Sequence, residues 1–287
     1  MLALLAALAA SSRADAQRRV ERYESGSPES QLMGFYATTV AFSPAGLLPV
    51  ASHAGSVRIA LELSLVPPLS EAQRTSGFQK TQSTNLAPVL PRPRVSLALP
   101  AGFAIEGSWI PPVRAFGARA SLWGASIART ANVPGIGTLV PRLAMSGGWV
   151  EGPITCNRSQ QERGAGDSLY FTFVCHDRES ADRFSPLALS GELLVARRVM
   201  RRVTGYAGAG VRSERTTFDV GVRQFDGTPD PDHPQLQSSA TRGYLLLGAG
   251  TAGGRRIPAV GAELFYAPGT VVTVRATAAL QRLRRNR

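Results

Sequence analysis

One stretch decides the fold class: Val57-Arg58-Ile59-Ala60-Leu61-Glu62-Leu63-Ser64-Leu65. Every second residue from Val57 onward is a large apolar one, and the residues between them include Arg58 and Glu62. Successive side chains of a β-strand point to opposite faces. The stretch therefore predicts a strand with one hydrocarbon face and one charged face.

The same alternation recurs along the chain. It flanks the turn Pro100-Ala101-Gly102 on both sides, which predicts a tight hairpin. Several of the alternating segments exceed the roughly 5 or 6 residues usual in a soluble sheet and approach the roughly 9 to 11 of a tilted membrane-crossing strand. The pattern predicts ten strands, at about residues 56–66, 92–99, 103–110, 115–127, 139–150, 186–198, 202–213, 240–252, 257–266 and 270–282.

The connections between these strands differ in length on the two sides. If the first strand runs outward, the long connections 67–91, 151–185 and 214–239 all lie outside, with 111–114 and 267–269. Short periplasmic turns and long extracellular loops are typical of transmembrane barrels. The predicted inner turns are residues 100–102, 128–138, 199–201 and 253–256.

Composition narrows the class of protein. An apolar content of 44% is too high for a disordered chain, and 29 Gly and 20 Pro disfavour a helical one. The net charge of +12 is of the size found in nucleic-acid-binding proteins. The arginines are, however, dispersed through the alternating segments instead of forming one basic stripe, so nucleic acid is not an expected partner.

The N-terminus predicts export. Residues 1–16 read as a signal peptide, because the apolar run Leu2 to Ala10 is followed by the small-x-small site Ala14-Asp15-Ala16. No basic residue precedes the run, and a short buried helix is the alternative.

Three further segments complete the predicted organisation. Residues 17–55 form either a periplasmic linker or a segment inside the lumen, and Gly34 to Phe42 within them could add a strand toward a twelve-stranded barrel. Residues 56–282 form the barrel, and residues 283–287 form a basic tail.

The two cysteines, Cys156 and Cys175, flank a polar stretch. In an exported chain we expect them to form a disulfide, whose loop closure contributes about 3 kcal/mol. Two unpaired thiols are the alternative. With only three histidines and no Cys-x-x-Cys, we expect no metal site and no cofactor.

Alternation also assigns the charged side chains to the barrel interior. An open interior of this kind predicts a pore with a mild anion preference. A network of Arg–Glu pairs is the alternative, since barrels this small are normally filled by side chains. The predicted lumen-lining residues are Arg58, Glu62, Arg94, Glu106, Arg119, Arg142, Glu192, Arg198, Arg212, Glu263 and Arg275.

Two other motifs contain residue types that are used in metal binding or catalysis. The acidic loop Asp226 to Asp232 offers oxygen ligands for Ca²⁺ but lacks EF-hand spacing, and a solvated turn is the alternative. Cys175-His176-Asp177 places a histidine beside a carboxylate, although adjacency in sequence is not triad geometry. A barrel enzyme that uses His176 is the alternative here, but we expect no enzymatic activity.

The alternation over residues 56–282 resembles that of bacterial outer-membrane β-barrels, in the broad sense that includes porins and fatty-acid-transporter-like channels. Pro91 to Val113, with its exit Trp109-Ile110-Pro111-Pro112, resembles hairpins of uncharacterised barrel families. The resemblance implies an all-β, antiparallel up-and-down transmembrane barrel in the cell outer membrane. Many such proteins end in an aromatic residue, whereas this chain ends in Leu283-Arg284-Arg285-Asn286-Arg287.

Three interpretations remain open. The first is a channel or transporter for small solutes, with a small solute and outer-membrane lipid as partners. The second is a filled structural or surface-binding barrel that contacts partners through residues 151–185 and 214–239. The third is a soluble secreted β-sandwich, in which the apolar faces pack against each other. The sequence does not indicate an oligomeric state.

Overall fold

The structure is a computed structural model of the 287-residue chain. The structure describes residues 20–24, 26–42, 54–69, 73, 89–115, 117–162, 165–228, 230, 234–251, 258–268 and 271–282. The predicted signal peptide and basic tail lie outside the described residues.

Ten antiparallel strands form a closed ring. Each strand of the ring pairs with the next, and the last pairs with the first, from Arg275 opposite Ser64 to Arg282 opposite Val57. The predicted all-β, up-and-down barrel of ten strands is confirmed. The ring strands are β2 (Val57–Leu65), β3 (Val89–Ala98), β4 (Phe103–Ala115), β5 (Ala118–Arg129), β7 (Gly137–Gly152), β8 (Asp182–Met200), β9 (Val203–Asp219), β10 (Gln235–Thr251), β11 (Ala259–Ala267) and β12 (Val271–Arg282).

Two short strands lie beside the ring. Strand β1 (Val20–Arg22) pairs in parallel with the first residues of β10, and β6 (Ala131–Val133) pairs with β7. The helices are α1 (Pro28–Val40) and α2 (Ala165–Phe173), with 3₁₀ turns at Pro100–Gly102 and Arg158–Glu162. Within the described ranges, no helix has both the length and the apolar character needed to cross a bilayer.

The two ends of the barrel differ. We call the end with the connections 66–88, 153–181 and 220–234 the loop end, and the opposite end the turn end. Strands β8, β9 and β10 reach several residues farther toward the loop end than the alternation predicted. Their outward side chains there are polar, as at Arg215, Thr217 and Ser239, so the apolar alternation stops before the strand does.

The barrel wall has apolar side chains on its outer face and charged side chains on its inner face, which is the reverse of a soluble protein. The side chains of Ile59 and Leu189 face outward and are 63% and 59% exposed, whereas Glu62 and Arg212 face inward and are 0% and 2% exposed. A continuous apolar exterior around a closed ring requires a hydrocarbon solvent, in which every backbone group must pair inside the protein. The soluble β-sandwich is therefore excluded.

Helix α1 lies inside the ring, because it contacts β8, β9, β10 and β12 from within. Its start is encoded locally: the Ser27 hydroxyl accepts a hydrogen bond of 3.2 Å from the Ser30 amide, and Pro28 fills the first helical position. Most of the stretch Gly34 to Phe42, which the sequence left open between a strand and a lumen segment, belongs to this helix.

The outward position of Leu189 yields a direct test. Replacing Leu189 with Arg should lower the free energy of unfolding in phospholipid vesicles by about 2–4 kcal/mol, because the guanidinium would enter hydrocarbon near mid-depth. Guanidinium-induced unfolding followed by tryptophan fluorescence measures this. Ser185→Arg, four residues nearer the loop end on the same outward row, is the matched control and should cost far less. Equal effects would show that Leu189 does not face lipid.

Candidate functional site

The barrel interior holds a layer of buried ion pairs. Glu62 on β2 lies at its centre: one carboxylate oxygen accepts a hydrogen bond of 2.9 Å from Arg94 Nη1, and the other accepts one of 3.0 Å from Ser64. Arg94 also donates from Nε to Glu106. Arg58 lies beside this pair and lines a small interior cavity with Arg94 and Glu106. These contacts join β2, β3 and β4 across their inner faces.

A second group of pairs lies on β7 to β12. Arg142 donates to Glu192, whose other oxygen accepts a hydrogen bond of 2.9 Å from the Tyr244 hydroxyl. Glu263 accepts one of 3.0 Å from the Tyr206 hydroxyl and lies 3.5 Å from Arg275 Nη1. Buried carboxylates are thus matched both by cations and by neutral donors, as low-dielectric surroundings require.

Arg212 occupies the middle of the interior. Its guanidinium lies 5.0 Å from the centre of the Tyr244 ring and 5.4 Å from that of Phe265, and its Nη1 lies 3.9 Å from a Glu214 oxygen. Stacking on two aromatic faces lowers the cost of burying this cation.

Polar contacts fix α1 within the ring. Ser30 and Ser238 share a hydrogen bond of 2.8 Å, and Thr38 donates one of 3.0 Å to Glu214. Arg92 donates to the carbonyls of Val40 and Ala41, at 2.8 and 3.1 Å. These carbonyls lie at the C-terminus of α1, where a cation is favoured by the helix dipole.

The aromatic residue that follows α1 holds the segment in place. The ring of Phe42 lies against Gly124 on β5, where a Cβ atom would come within 2.4 Å of Phe42 side-chain atoms. The guanidinium of Arg92 lies 5.6 Å from the centre of the same ring. Glycine is required at position 124 because the aromatic ring takes the space of a side chain.

The interior also holds an apolar cluster. Val140, Leu194 and Phe265 are fully buried in it with Tyr206 and Tyr244. Three groups therefore occupy the interior: α1, the ion pairs and this cluster.

The structure places the predicted lumen residues in three locations. Arg198 is exposed at the turn end of β8. Arg119 lies on the outward row of β5, with its guanidinium 5.6 Å from the Trp149 ring centre. The interior brings together Arg58, Glu62, Arg94, Glu106, Arg142, Glu192, Arg212, Glu263 and Arg275.

Several interior residues were not predicted from the sequence, among them Arg92, Glu214, Tyr206 and Tyr244. Arg92 lies two residues from Arg94, and Glu214 lies two residues from Arg212, so each shares the strand face of a predicted lumen residue. Both Arg92 and Glu214 would have been predicted if the inward-facing residues at the ends of each predicted strand had been counted as lumen residues. Tyr206 and Tyr244 carry no charge and were therefore not marked by the alternation of ions, although their hydroxyls bind the buried carboxylates.

The connections at the loop end form a small braced layer. The predicted disulfide between Cys156 and Cys175 is confirmed, with their Cα atoms 5.7 Å apart. Phe171 from α2 and Val222 from the β9–β10 connection are buried against it. Burial raises the pKa of the neighbouring Tyr170 hydroxyl. The layer around the disulfide therefore joins two connections that are distant in sequence.

Asp182, at the start of β8, holds this layer to the barrel. Its carboxylate is fully buried and accepts hydrogen bonds of 2.6 Å from the Ser180 hydroxyl and 2.8 Å from the Gly221 amide. The amide of Thr155 donates to the same carboxylate. One acidic side chain thus fixes the positions of both long connections.

The two remaining motifs have structural contacts. The His176 ring stacks on Phe225 at 3.7 Å between centres, and the Asp177 carboxylate accepts a hydrogen bond of 3.0 Å from Thr172. Asp226 accepts hydrogen bonds from the amide and hydroxyl of Thr228, which lower the pKa of its carboxyl group.

Comparison with known proteins yields structural likeness alone. No family model and no curated protein matches the chain. Ail, the attachment invasion locus protein of Yersinia pestis, is similar at 9% identity, covering 80% of this chain and 97% of that chain with a TM-score of 0.27. The Pseudomonas putida toluene transporter TodX is similar at 10% identity, covering 92% and 74% with a TM-score of 0.31. The transport unit of the autotransporter AIDA-I from Escherichia coli is similar at 12% identity, covering 90% and 98% with a TM-score of 0.27.

The chain resembles outer-membrane β-barrels. The closed ring of ten strands and its apolar exterior confirm this predicted resemblance.

The close approach of Phe42 to Gly124 can be tested by one methyl group. Gly124→Ala should displace Phe42 and loosen α1, at a cost of about 1–3 kcal/mol, because the core has no room for the added atom. Chymotrypsin cleavage within α1, at Phe35 or Tyr36, should become faster. Gly107→Ala is the matched control, since a Cβ there meets nothing closer than 3.9 Å. Equal protection of α1 in both variants would contradict this packing.

The disulfide should stabilise the loop end and not the ring. In the double variant Cys156→Ser and Cys175→Ser, protease should cut residues 153–181 faster, because about 3 kcal/mol of loop-closure stabilisation is lost. Heat-modifiable gel migration of the barrel should persist. Reductant should reproduce the effect in the parent protein and change nothing in the double variant. Alkylation of the parent protein without reductant would refute the bond.

Proposed function

We propose that this chain is an outer-membrane barrel with a filled lumen whose loop end contacts a second protein. The observation that carries the proposal is the occupation of the interior by α1. A solute that crosses the barrel would have to displace the helix and also the apolar cluster around Leu194 and Phe265. The interior of a small barrel is in any case narrow enough for side chains alone to fill it.

The loop end has the features of a contact surface. Leu169 and Phe173 lie four residues apart on α2, so both project from one side of the helix, and they are 56% and 71% exposed. Phe225 is 77% exposed although it stacks on His176. Exposed apolar side chains on a braced scaffold are typical of protein-binding surfaces, since little ordering is needed on association.

Planar-bilayer recordings test the filled lumen. The full chain should show no stepwise conductance of porin size, because α1 and the ion pairs occupy the interior of the part of the barrel that the structure describes. The same preparation must show heat-modifiable gel migration, which verifies that an absence of current does not result from unfolded protein. Regular current steps from folded protein would refute the filled lumen.

Site-specific photo-crosslinking tests the contact surface. A photoreactive residue placed at Phe173 or Phe225 in intact cells should cross-link to the same protein partner. Placement at Glu162, which is also exposed at the loop end, is the matched control. Phe173→Ser should reduce cross-linking from position 225. Equal yields at positions 162, 173 and 225 would count against a specific surface.

A gated channel is the second candidate, and the polar anchoring of α1 favours it. In addition to its apolar contacts, the helix is held by hydrogen bonds to Ser238 and Glu214 and by Arg92. Such contacts can be exchanged for water at modest cost. In this case Arg92→Ala should produce current steps that the parent protein lacks.

A further inference from the structure

The outward face of the barrel carries an apolar groove of about 1130 Å³. Two small residues, Gly107 on β4 and Ala125 on β5, lie opposite each other at its floor. Larger side chains flank them along and across the strands, among them Trp109, Ile127 and Met145. Because the whole face is apolar and lies in a membrane, hydrocarbon has to fill this groove.

The groove follows a discontinuity in the barrel wall. The ladder between β3 and β4 runs only from Arg94 opposite Ser108 to Ala98 opposite Ala104. Toward the loop end, β3 pairs with β2 and β4 pairs with β5, and Pro93 and Pro111 line the groove on either side. Proline brings no N–H group, which reduces the number of unpaired donors at this seam.

A row of charged side chains lies above the groove, toward the loop end. Arg114 on β4 faces Arg119 on β5, which faces Glu151 on β7, which faces Arg183 on β8. Arg183 donates a hydrogen bond of 3.3 Å to Glu151. The next position, Asp219 on β9, accepts a hydrogen bond from Gln235. Three guanidinium groups thus share this row with two carboxylates.

The pair Arg114–Arg119 is the unusual part of the row. Like charges directly opposite each other on one face destabilise a sheet. A phosphate group would relieve this repulsion, because guanidinium groups bind phosphate with paired, charge-assisted hydrogen bonds.

Tryptophan marks the same face. The chain has three tryptophans, and all three project from the outer side of β4, β5 and β7. Trp109 and Trp123 face each other beside the groove, and the Trp149 ring lies 5.6 Å from the Arg119 guanidinium and 5.1 Å from that of Arg183. Indole rings favour the boundary between hydrocarbon and headgroups, and the contact with Arg119 places Trp149 at that boundary.

We propose that this face binds a phosphorylated, acylated lipid of the outer leaflet, with its phosphate at Arg114 and Arg119 and an acyl chain in the groove. Arg119 and Ala125 lie six positions apart on β5, about 20 Å along the strand. A strand tilt of about 40° reduces this to about 15 Å along the membrane normal. One leaflet of the hydrocarbon core has that depth, so headgroup and chain reach their sites together.

The test uses lipid A, a phosphorylated and multiply acylated glycolipid, titrated into the folded full chain in detergent micelles. The intrinsic fluorescence of the three tryptophans reports binding. Dephosphorylated lipid A and inorganic phosphate separate the headgroup from the acyl chains. We expect lipid A to bind at least about tenfold more tightly than either.

Two variants assign the binding to the proposed residues. Arg114→Gln with Arg119→Gln should weaken lipid A binding at least about tenfold, whereas Arg129→Gln with Arg197→Gln, at the turn end, should leave it unchanged. Ala125→Phe should fill the groove and weaken binding, and Ala209→Phe on the outward row of β9 is its control. Heat-modifiable migration verifies that each variant folds.

Each outcome decides the proposal. Equal affinity for dephosphorylated lipid A, or an unchanged affinity in the Arg114 and Arg119 variant, would overturn the phosphate site. An unchanged affinity in Ala125→Phe would overturn the acyl-chain site. These results are independent of the conductance and cross-linking experiments, because the groove lies on the lipid face.

Discussion

Hydrocarbon offers no hydrogen bonds, and this constraint shapes the whole barrel. A sheet that crosses a bilayer must leave no edge, so the last strand β12 pairs with the first ring strand β2. Closure then creates an interior that water and ions reach poorly. The outward residues become apolar to match lipid, and the inward residues are free to be polar only if they satisfy each other.

The interior meets that condition for most of its buried carboxylates, whereas the Arg212 guanidinium makes no hydrogen bond to the residues that the structure describes and stacks on two aromatic rings. Glu62, Glu192 and Glu263 each bind both an arginine and a neutral hydroxyl donor. Helix α1 adds its own polar groups, and Arg92 satisfies the carbonyls at its end. A network of this kind costs desolvation and contributes little net stability, but it penalises any arrangement that leaves one member unpaired. The same charges that resemble a pore lining in the sequence thus serve to position a helix.

The sequence was sufficient to predict the ring of ten strands but not the helix that lies inside it. Strict alternation at Val57 to Leu65 requires one apolar and one charged face, and repetition of that pattern predicts ten strands. The alternation pattern no longer identifies a strand where the barrel wall leaves the membrane. The loop-end parts of β8 to β10 project beyond the lipid into water, so their outward residues are not apolar. Helix α1 had a readable signal in Ser27, Pro28 and Glu29, but its position depends on contacts with Gly124, Ser238 and Glu214, which are distant in sequence. Arg119 is a different case, because it shares the parity of the outward residues Trp123 and Ile127 on β5, so parity itself places it outside the lumen.

The path of the N-terminal segment limits how the barrel can assemble. Strand β1 pairs with β10 at the loop end, α1 continues through the interior, and Gly55 pairs with Ala98 at the turn end before β2 begins. The described residues of this segment therefore lie at both ends of the ring and, as α1, inside it. Inserting α1 into a closed ring packed with ion pairs would require those pairs to break. Closing the β12–β2 seam around a helix already in place requires no such step, so the last strand pairing to form should be the one that encloses α1.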